Sequence, residues 1–137
     1  MSVKVFTLEE ANRLVPTVAE SVRRFRALSA EIVRTQDAIA VLQMLGAEQA
    51  GSPEQSDLVS KRAQVEEVGQ EFSDRLDEFN RHGCLLKDLE TGLVDFYGLK
   101  DGRLIFLCWR LGEREIKYWH EISAGIAGRR SIKELES

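Results

Sequence analysis

Apolar side chains recur at helical spacing along most of the first 82 residues, and this periodicity constrains the fold more than any other feature. From Thr17 to Leu45 they follow alternating steps of four and three, and a second such series runs from about residue 53 to His82. Between them, the segment 46–53 contains two Gly and one Pro, which favour a loop. The pattern predicts an antiparallel helical hairpin over residues 7–82, with coiled-coil-like packing.

The ends of this hairpin carry their own signals. Thr7 and Glu10 have the spacing of a capping box, which predicts a helix start. Gly83 suits the left-handed conformation that ends many helices. Pro16 lacks an amide hydrogen and disfavours the helical conformation of the residue before it, so we expect the first helix to end or kink there.

The apolar stripe of the hairpin is wider than one partner helix covers, because several apolar residues flank the seam. We therefore expect a homo-oligomer through the helices, with a four-helix bundle as the simplest case. Polar or small residues interrupt the seam and are explained either as tolerated imperfections or as residues that fix the register. They are Ser29, Gln36, Arg62 and Gly69.

Beyond Gly83 the apolar period changes from that of a helix to two. Runs at 93–97, 103–111 and 115–122 are rich in apolar and aromatic residues, and residues 84–86 are a further short candidate. Asp101-Gly102 between the first two runs is a strong hairpin signal. We predict a small antiparallel β-sheet of three or four strands and a tail over 83–137, hence a single α+β domain spanning 1–137.

Composition excludes several classes of protein. Lys+Arg 19 against Asp+Glu 23 gives a net charge of −4, which argues against a general nucleic-acid or anionic-membrane binder. No apolar run approaches the roughly 20 residues that a membrane span needs. The N-terminus does not fit a signal peptide, and two Cys 24 positions apart do not form a disulfide framework. We expect a cytoplasmic protein.

Several motifs resemble one known family along the whole chain. It is the bacterial family catalogued as domain of unknown function 2203, and the resemblance implies a small cytoplasmic protein without an established activity, cofactor or catalytic residue. The motifs that carry it are Phe6-Thr7-Leu8-Glu9-Glu10-Ala11-Asn12, Gly92-Leu93-Val94-Asp95-Phe96, Leu107-Cys108-Trp109-Arg110-Leu111-Gly112-Glu113, Tyr118-Trp119-His120 and Gly125-Ile126-Ala127-Gly128-Arg129.

Two groups of residues in the C-terminal half are candidates for a site. The first contains transition-metal ligand types on predicted strands and turns, although no two of its His and Cys have a close ligand spacing: Asp95, Cys108, Glu113 and His120. The second combines backbone amides, guanidinium groups and aromatic rings that suit a small anionic ligand: Arg110, Gly125, Gly128, Arg129, Trp109 and Trp119. A buried structural role is the alternative for the Cys, His and Trp residues.

Three hypotheses about function follow from these patterns. The first is a non-enzymatic ligand-binding or protein-interaction module that uses the aromatic and Arg residues of the C-terminal half. The second is a metal-binding protein or small enzyme with the first group as its site. The third is a structural assembly protein that acts through its helices. The sequence identifies no catalytic residue and no cofactor, and it leaves open whether the protein is an enzyme.

Overall fold

The computed structural model describes residues 3–135, so the first two and last two residues of the predicted domain lie outside it. Two long helices come first, α1 (Leu8–Met44) and α2 (Gln55–Arg81). Five strands follow, β1 (Cys84–Asp88), β2 (Leu93–Lys100), β3 (Arg103–Arg110), β4 (Tyr118–Glu121) and β5 (Arg130–Ser131), with short 3-10 helices at Ile126–Gly128 and Ile132–Leu135. The fold is α+β, as predicted, with five strands instead of three or four.

The chain divides into two compact units. One contains the chain up to Arg23 together with the chain from Asp77 onward. It therefore holds the sheet, the N-terminal part of α1 and the C-terminal end of α2. The other is Arg24–Leu76. The single domain expected over residues 1–137 stays a prediction, because both helices run through the two units. No helix of the described chain combines the length and apolar character needed to cross a membrane.

Helix α1 begins as predicted but does not end at Pro16. The Thr7 amide donates to the Glu10 carboxylate (2.9 Å), and the Glu10 amide donates to the Thr7 hydroxyl (3.1 Å), which completes the capping box. Pro16 lies inside the helix and is exposed, so its ring faces solvent. The apolar stripe is buried on both sides of it, at Val15 and Val18, and this burial offsets the missing backbone hydrogen bond.

Within Arg24–Leu76 the two helices run antiparallel. Phe25 and Phe72 pack with ring centroids 5.3 Å apart, and Arg24 donates to the Glu71 carboxylate at 2.7 Å. Two residues of the predicted seam, Gln36 and Arg62, are exposed instead. The buried position is Thr35, whose hydroxyl donates to the Glu31 carbonyl at 2.8 Å. The buried position at this turn of α1 therefore lies one residue before the predicted seam residue Gln36.

The sheet is an antiparallel meander in which each strand pairs with the next in sequence. Asp101 and Gly102 connect β2 and β3 with φ of 51° and 79°, the two left-handed positions that a tight hairpin turn requires. This turn sets Asp95 opposite Cys108, and β4 then pairs with β3 so that Phe106 lies opposite His120. The fifth strand has only two residues, too few to produce a recognisable period.

One face of the sheet belongs to the core of its unit. The side chains on this face are apolar and almost fully buried: Val94, Phe96, Ile105, Leu107, Trp109 and Trp119. Phe6 packs edge-on against Phe96 with ring centroids 5.5 Å apart, and the Phe6 amide donates to the Tyr97 carbonyl. This packing leaves the opposite face of the sheet, with Asp95 and Cys108, away from these core residues.

Candidate metal centre

Three neighbouring strands bring one carboxylate, one thiol and one imidazole to the same face of the sheet. Asp95 on β2 and Cys108 on β3 are direct cross-strand partners. Tyr118 pairs with Cys108 across the next strand interface, and His120 lies two residues further along β4 on the same face. Strand pairing therefore brings together three of the predicted metal ligands, although their spacing in the sequence is not typical of a metal site.

The three side chains form a tight, buried cluster. One ligand atom from each of Asp95, Cys108 and His120 can be chosen so that all lie within 4.8 Å of one another. The His120 Nε2 atom is 3.1 and 3.0 Å from the two carboxylate oxygens of Asp95. The exposed fractions are 1% for Asp95, 0% for Cys108 and 4% for His120, so the cluster is shielded from bulk water.

Burial dominates the proton affinities of this cluster. It raises the pKa of the Asp95 carboxyl above its usual range, although the nearby His120 opposes the shift. It also raises the pKa of the Cys108 thiol to about 12, and Asp95 adds to that increase. The thiol is therefore protonated at neutral pH, and the unassisted cluster lacks the thiolate that nucleophilic catalysis requires.

The hydrogen bonds of His120 also argue against a Cys–His nucleophile. Its Nδ1 atom lies 2.8 Å from the carbonyl oxygen of Glu121, which only accepts, so Nδ1 carries a hydrogen. Its Nε2 atom faces the Asp95 carboxylate, so one shared proton lies between the two side chains. Because both ring nitrogens are engaged, neither is available to take the Cys108 proton.

A layer of aromatic and basic side chains surrounds the cluster. Phe106 packs between Tyr97 and His120, with ring centroids 4.9 and 5.2 Å away. The Lys87 ammonium lies 4.5 Å from the centroid of the Phe106 ring and favours the charged form of Asp95. Lys87 was not among the predicted site residues. No sequence signal identifies it, because the register of β1 on β2 shifts between Leu86 and Asp88 and two-residue alternation is interrupted there.

Glu113, the fourth predicted metal ligand, belongs to a neighbouring network instead of the cluster. Its carboxylate accepts from the Arg110 amide at 2.7 Å and from the Arg129 guanidinium at 3.1 Å. The same guanidinium nitrogen of Arg129 lies 3.4 Å from the Cys108 carbonyl oxygen. The guanidinium carbon of Arg129 is 4.1 Å from the centroid of the Tyr118 ring, so Arg129 stacks beside the cluster.

The predicted anion-binding residues are distributed over both faces of the sheet. Trp109 and Trp119 are fully buried on the core face, where the Trp109 indole nitrogen donates to the Glu113 carbonyl at 2.9 Å. Arg110 is exposed and shares the face of Cys108. Gly125 is exposed, and a side chain at Gly128 would come within 2.7 Å of Ala124. Only Arg129 is next to the buried cluster.

Comparison with known proteins gives a family and nothing more specific. Residues 4–132 match the family described as uncharacterized conserved protein (DUF2203), a range that includes every residue of the cluster and of the Glu113–Arg129 network. No curated protein and no solved structure matches the chain. Because the match covers nearly the whole sequence and agrees with the motifs at both ends, this protein is a member of the DUF2203 family.

Proposed function

We propose that this protein binds a divalent transition metal, with zinc as the best fit, through Asp95, Cys108 and His120. The observation that carries the proposal is the convergence of three ligand atoms within 4.8 Å in a buried position. Bonds of about 2.0–2.3 Å set tetrahedral ligand atoms about 3.3–3.8 Å apart, so His120 Nε2 and the Asp95 oxygens must separate slightly and the more distant ligand atoms must move closer. Thiolate and imidazole together favour zinc, cobalt, nickel or iron over magnesium or calcium.

The proton content of the cluster supports a divalent ion. Without metal, the cluster holds the Cys108 thiol proton and the proton shared by His120 and Asp95. A divalent cation that displaces both protons leaves the net charge of the buried cluster unchanged. The exchange therefore avoids the large cost of adding an uncompensated charge to a buried position.

The orientation of His120 supports the same proposal. The Glu121 carbonyl accepts the Nδ1 hydrogen, which leaves Nε2 as the nitrogen that faces Asp95 and Cys108. Metal-binding histidines commonly donate their other ring N–H to a carbonyl or carboxylate, which fixes both the tautomer and the ring orientation. His120 thus has its orienting partner without any rearrangement of β4.

Metal loading tests the proposal directly. We expect protein purified without chelator to contain one equivalent of metal per chain by mass spectrometry. After chelation, titration with cobalt should produce a thiolate-to-cobalt charge-transfer band in the near ultraviolet that saturates at one equivalent. His120→Gln should lose the band, whereas His82→Gln, which alters an exposed histidine directly after α2, should retain it. Negligible metal and no band in the unaltered protein would refute the proposal.

The free thiols fit the expected compartment. Both Cys84 and Cys108 are buried and unpaired with each other. A zinc–thiolate site needs a reduced cysteine, which the cytoplasm maintains. We therefore propose that the protein is cytoplasmic, because its thiols are free, and bacterial, because of the family that it resembles.

Self-association through the helices is a second candidate function. Five large apolar side chains within Arg24–Leu76 are more than half exposed: Val33, Val41, Met44, Leu45 and Val59. Exposed apolar surface of this extent on a helical pair favours burial against a second copy. We expect light scattering to give twice the monomer mass, and Val33→Lys with Val41→Lys to shift the mass toward the monomer. A monomer at high protein concentration would exclude this function.

A further inference from the structure

The guanidinium group of Arg129 is held beside Cys108 by the packing of β4. One of its terminal nitrogens lies 3.4 Å from the Cys108 carbonyl oxygen, and its central carbon lies 4.1 Å from the centroid of the Tyr118 ring. Tyr118 is the cross-strand partner of Cys108, so the same strand pairing positions the ring and the cysteine. The stacked guanidinium therefore lies next to one of the three proposed ligands.

Glu113 fixes the orientation of this guanidinium. Its carboxylate lies 3.1 Å from the terminal nitrogen of Arg129 and is itself held by the Arg110 amide at 2.7 Å. The Arg129 side chain is only 12% exposed. Because an ion pair and a stacked ring both restrain it, the planar group is preorganised and loses little freedom when it makes a further hydrogen bond.

Arg129 has a donor that its present partners do not use. Its Nε atom is buried and has no hydrogen-bond acceptor among the residues that the structure describes, and a buried N–H without a partner is costly. Burial and Asp95 raise the pKa of the Cys108 thiol, whereas Arg129 lowers it through its charge and through hydrogen bonding. The guanidinium is thus close enough to act on the sulfur, although a protonated thiol is a weak acceptor.

Metal binding would make the sulfur a strong acceptor, because a thiol that coordinates a divalent metal loses its proton. We infer that Arg129 is a positioning residue of the metal site, whose guanidinium donates a hydrogen bond to the Cys108 sulfur when the metal is bound. This inference rests on the proposed metal function. Hydrogen bonds to a charged acceptor are roughly twice as strong as neutral ones, and outer-shell partners of metal ligands typically contribute about 10- to 100-fold to metal affinity.

Cobalt binding by an Arg129→Gln variant tests this inference. We expect the affinity for cobalt to fall by about 10- to 100-fold and the thiolate-to-cobalt band to move to longer wavelength. The band moves because a hydrogen bond to the sulfur lowers the energy of the electrons that the light excites. A residue that only supports the fold would leave the wavelength unchanged.

Two matched variants separate the hydrogen bond from other effects of the substitution. Arg130→Gln removes the neighbouring guanidinium, which is exposed and pairs with Glu134. Glu113→Gln removes the ion pair with Arg129 but leaves the guanidinium donor in place. We expect both variants to keep the band position of the unaltered protein.

The outcomes distinguish this inference from the metal function itself. Failure of the unaltered protein to take up cobalt would refute the metal function. Cobalt uptake with equal affinity and band position in Arg129→Gln and Arg130→Gln, or an equal shift in Glu113→Gln, would refute only the role of Arg129. If Arg129→Gln fails to fold, zinc should still move the guanidinium N–H resonances of Arg129 in the unaltered protein downfield, and unchanged resonances would refute the inference.

Discussion

Replacing Cys108 by serine should weaken zinc binding by at least about 100-fold, the largest single-residue effect that we expect. Loss of an outer-shell partner typically costs 10–100-fold in metal affinity, and Cys108 is a direct ligand in the proposed site. A serine hydroxyl is a much weaker ligand because it does not ionise near neutral pH. Competition against a chromophoric chelator measures the change. In thermal unfolding, zinc at 100 times the dissociation constant should add about 2.7 kcal/mol to the unaltered protein and almost nothing to the variant.

Cys84→Ser supplies the matched control for this substitution. Cys84 is also a buried free thiol, and burial raises its pKa to about 11. It pairs with Phe96 on the core face of the sheet, away from Asp95 and His120. We expect it to cost stability without changing zinc affinity. Equal zinc affinities of the two serine variants would contradict the site.

Zinc affinity should rise by at least about tenfold for each unit increase in pH through the mildly acidic and neutral range. Binding releases the Cys108 proton, whose pKa of about 12 keeps it bound throughout this range. One released proton changes the dissociation constant in proportion to the proton concentration, and release of the proton between His120 and Asp95 adds to this dependence wherever that proton is still bound. Isothermal titration in two buffers with different ionisation enthalpies counts the protons directly. An affinity independent of pH would contradict the proposed ligand set.

In the metal-free protein, the contribution of Asp95 to stability should instead decrease as the pH rises. Burial raises the pKa of Asp95, so the folded state holds this proton more tightly than the unfolded chain does. The stability that Asp95 contributes is therefore complete below the ordinary value of 3.8 and is lost as the pH rises through the raised pKa. The difference in melting temperature between zinc-loaded and metal-free protein should consequently grow with pH.

Periodicity predicted the fold class because both helices and the two longest strands, β2 and β3, are long enough to display their period. The helical hairpin, the Thr7 capping box and the Asp101-Gly102 turn follow from local sequence, and the structure confirms them. Of the two outcomes expected at Pro16, a helix end or a kink, the helix end was wrong, because burial on both sides of the proline outweighs one backbone hydrogen bond. The sequence rule for proline considers only neighbouring residues and does not include the stabilisation from burial against other parts of the chain.

The composition of the site could be predicted only in part. The chemistry of the side chains identified Asp95, Cys108 and His120 as possible ligands. The two-residue alternation along a strand also places the adjacent residues Trp109 and Arg110 on opposite faces of the sheet. The antiparallel pairing of β4 with β3 follows from the predicted sheet, but its register was not predictable, because residues 111–117 carry no short hairpin-turn signal that would fix it. That connection is stabilised by long-range bonds such as the one from the Ile116 amide to the Asn12 side chain, 2.7 Å long. Such contacts leave no periodic signal in the sequence.

The hairpin turn at Asp101 and Gly102 has a consequence for how this ligand set could change over evolution. Cys108 lies about 20 Å along the strand from this turn, yet the turn length determines which residue stands opposite Asp95. One residue inserted between Gly102 and Leu107 would exchange the two faces of β3 and bring Leu107 to the position of the thiol. The metal chemistry proposed for this sheet is therefore open to loss by a single codon insertion that touches no ligand.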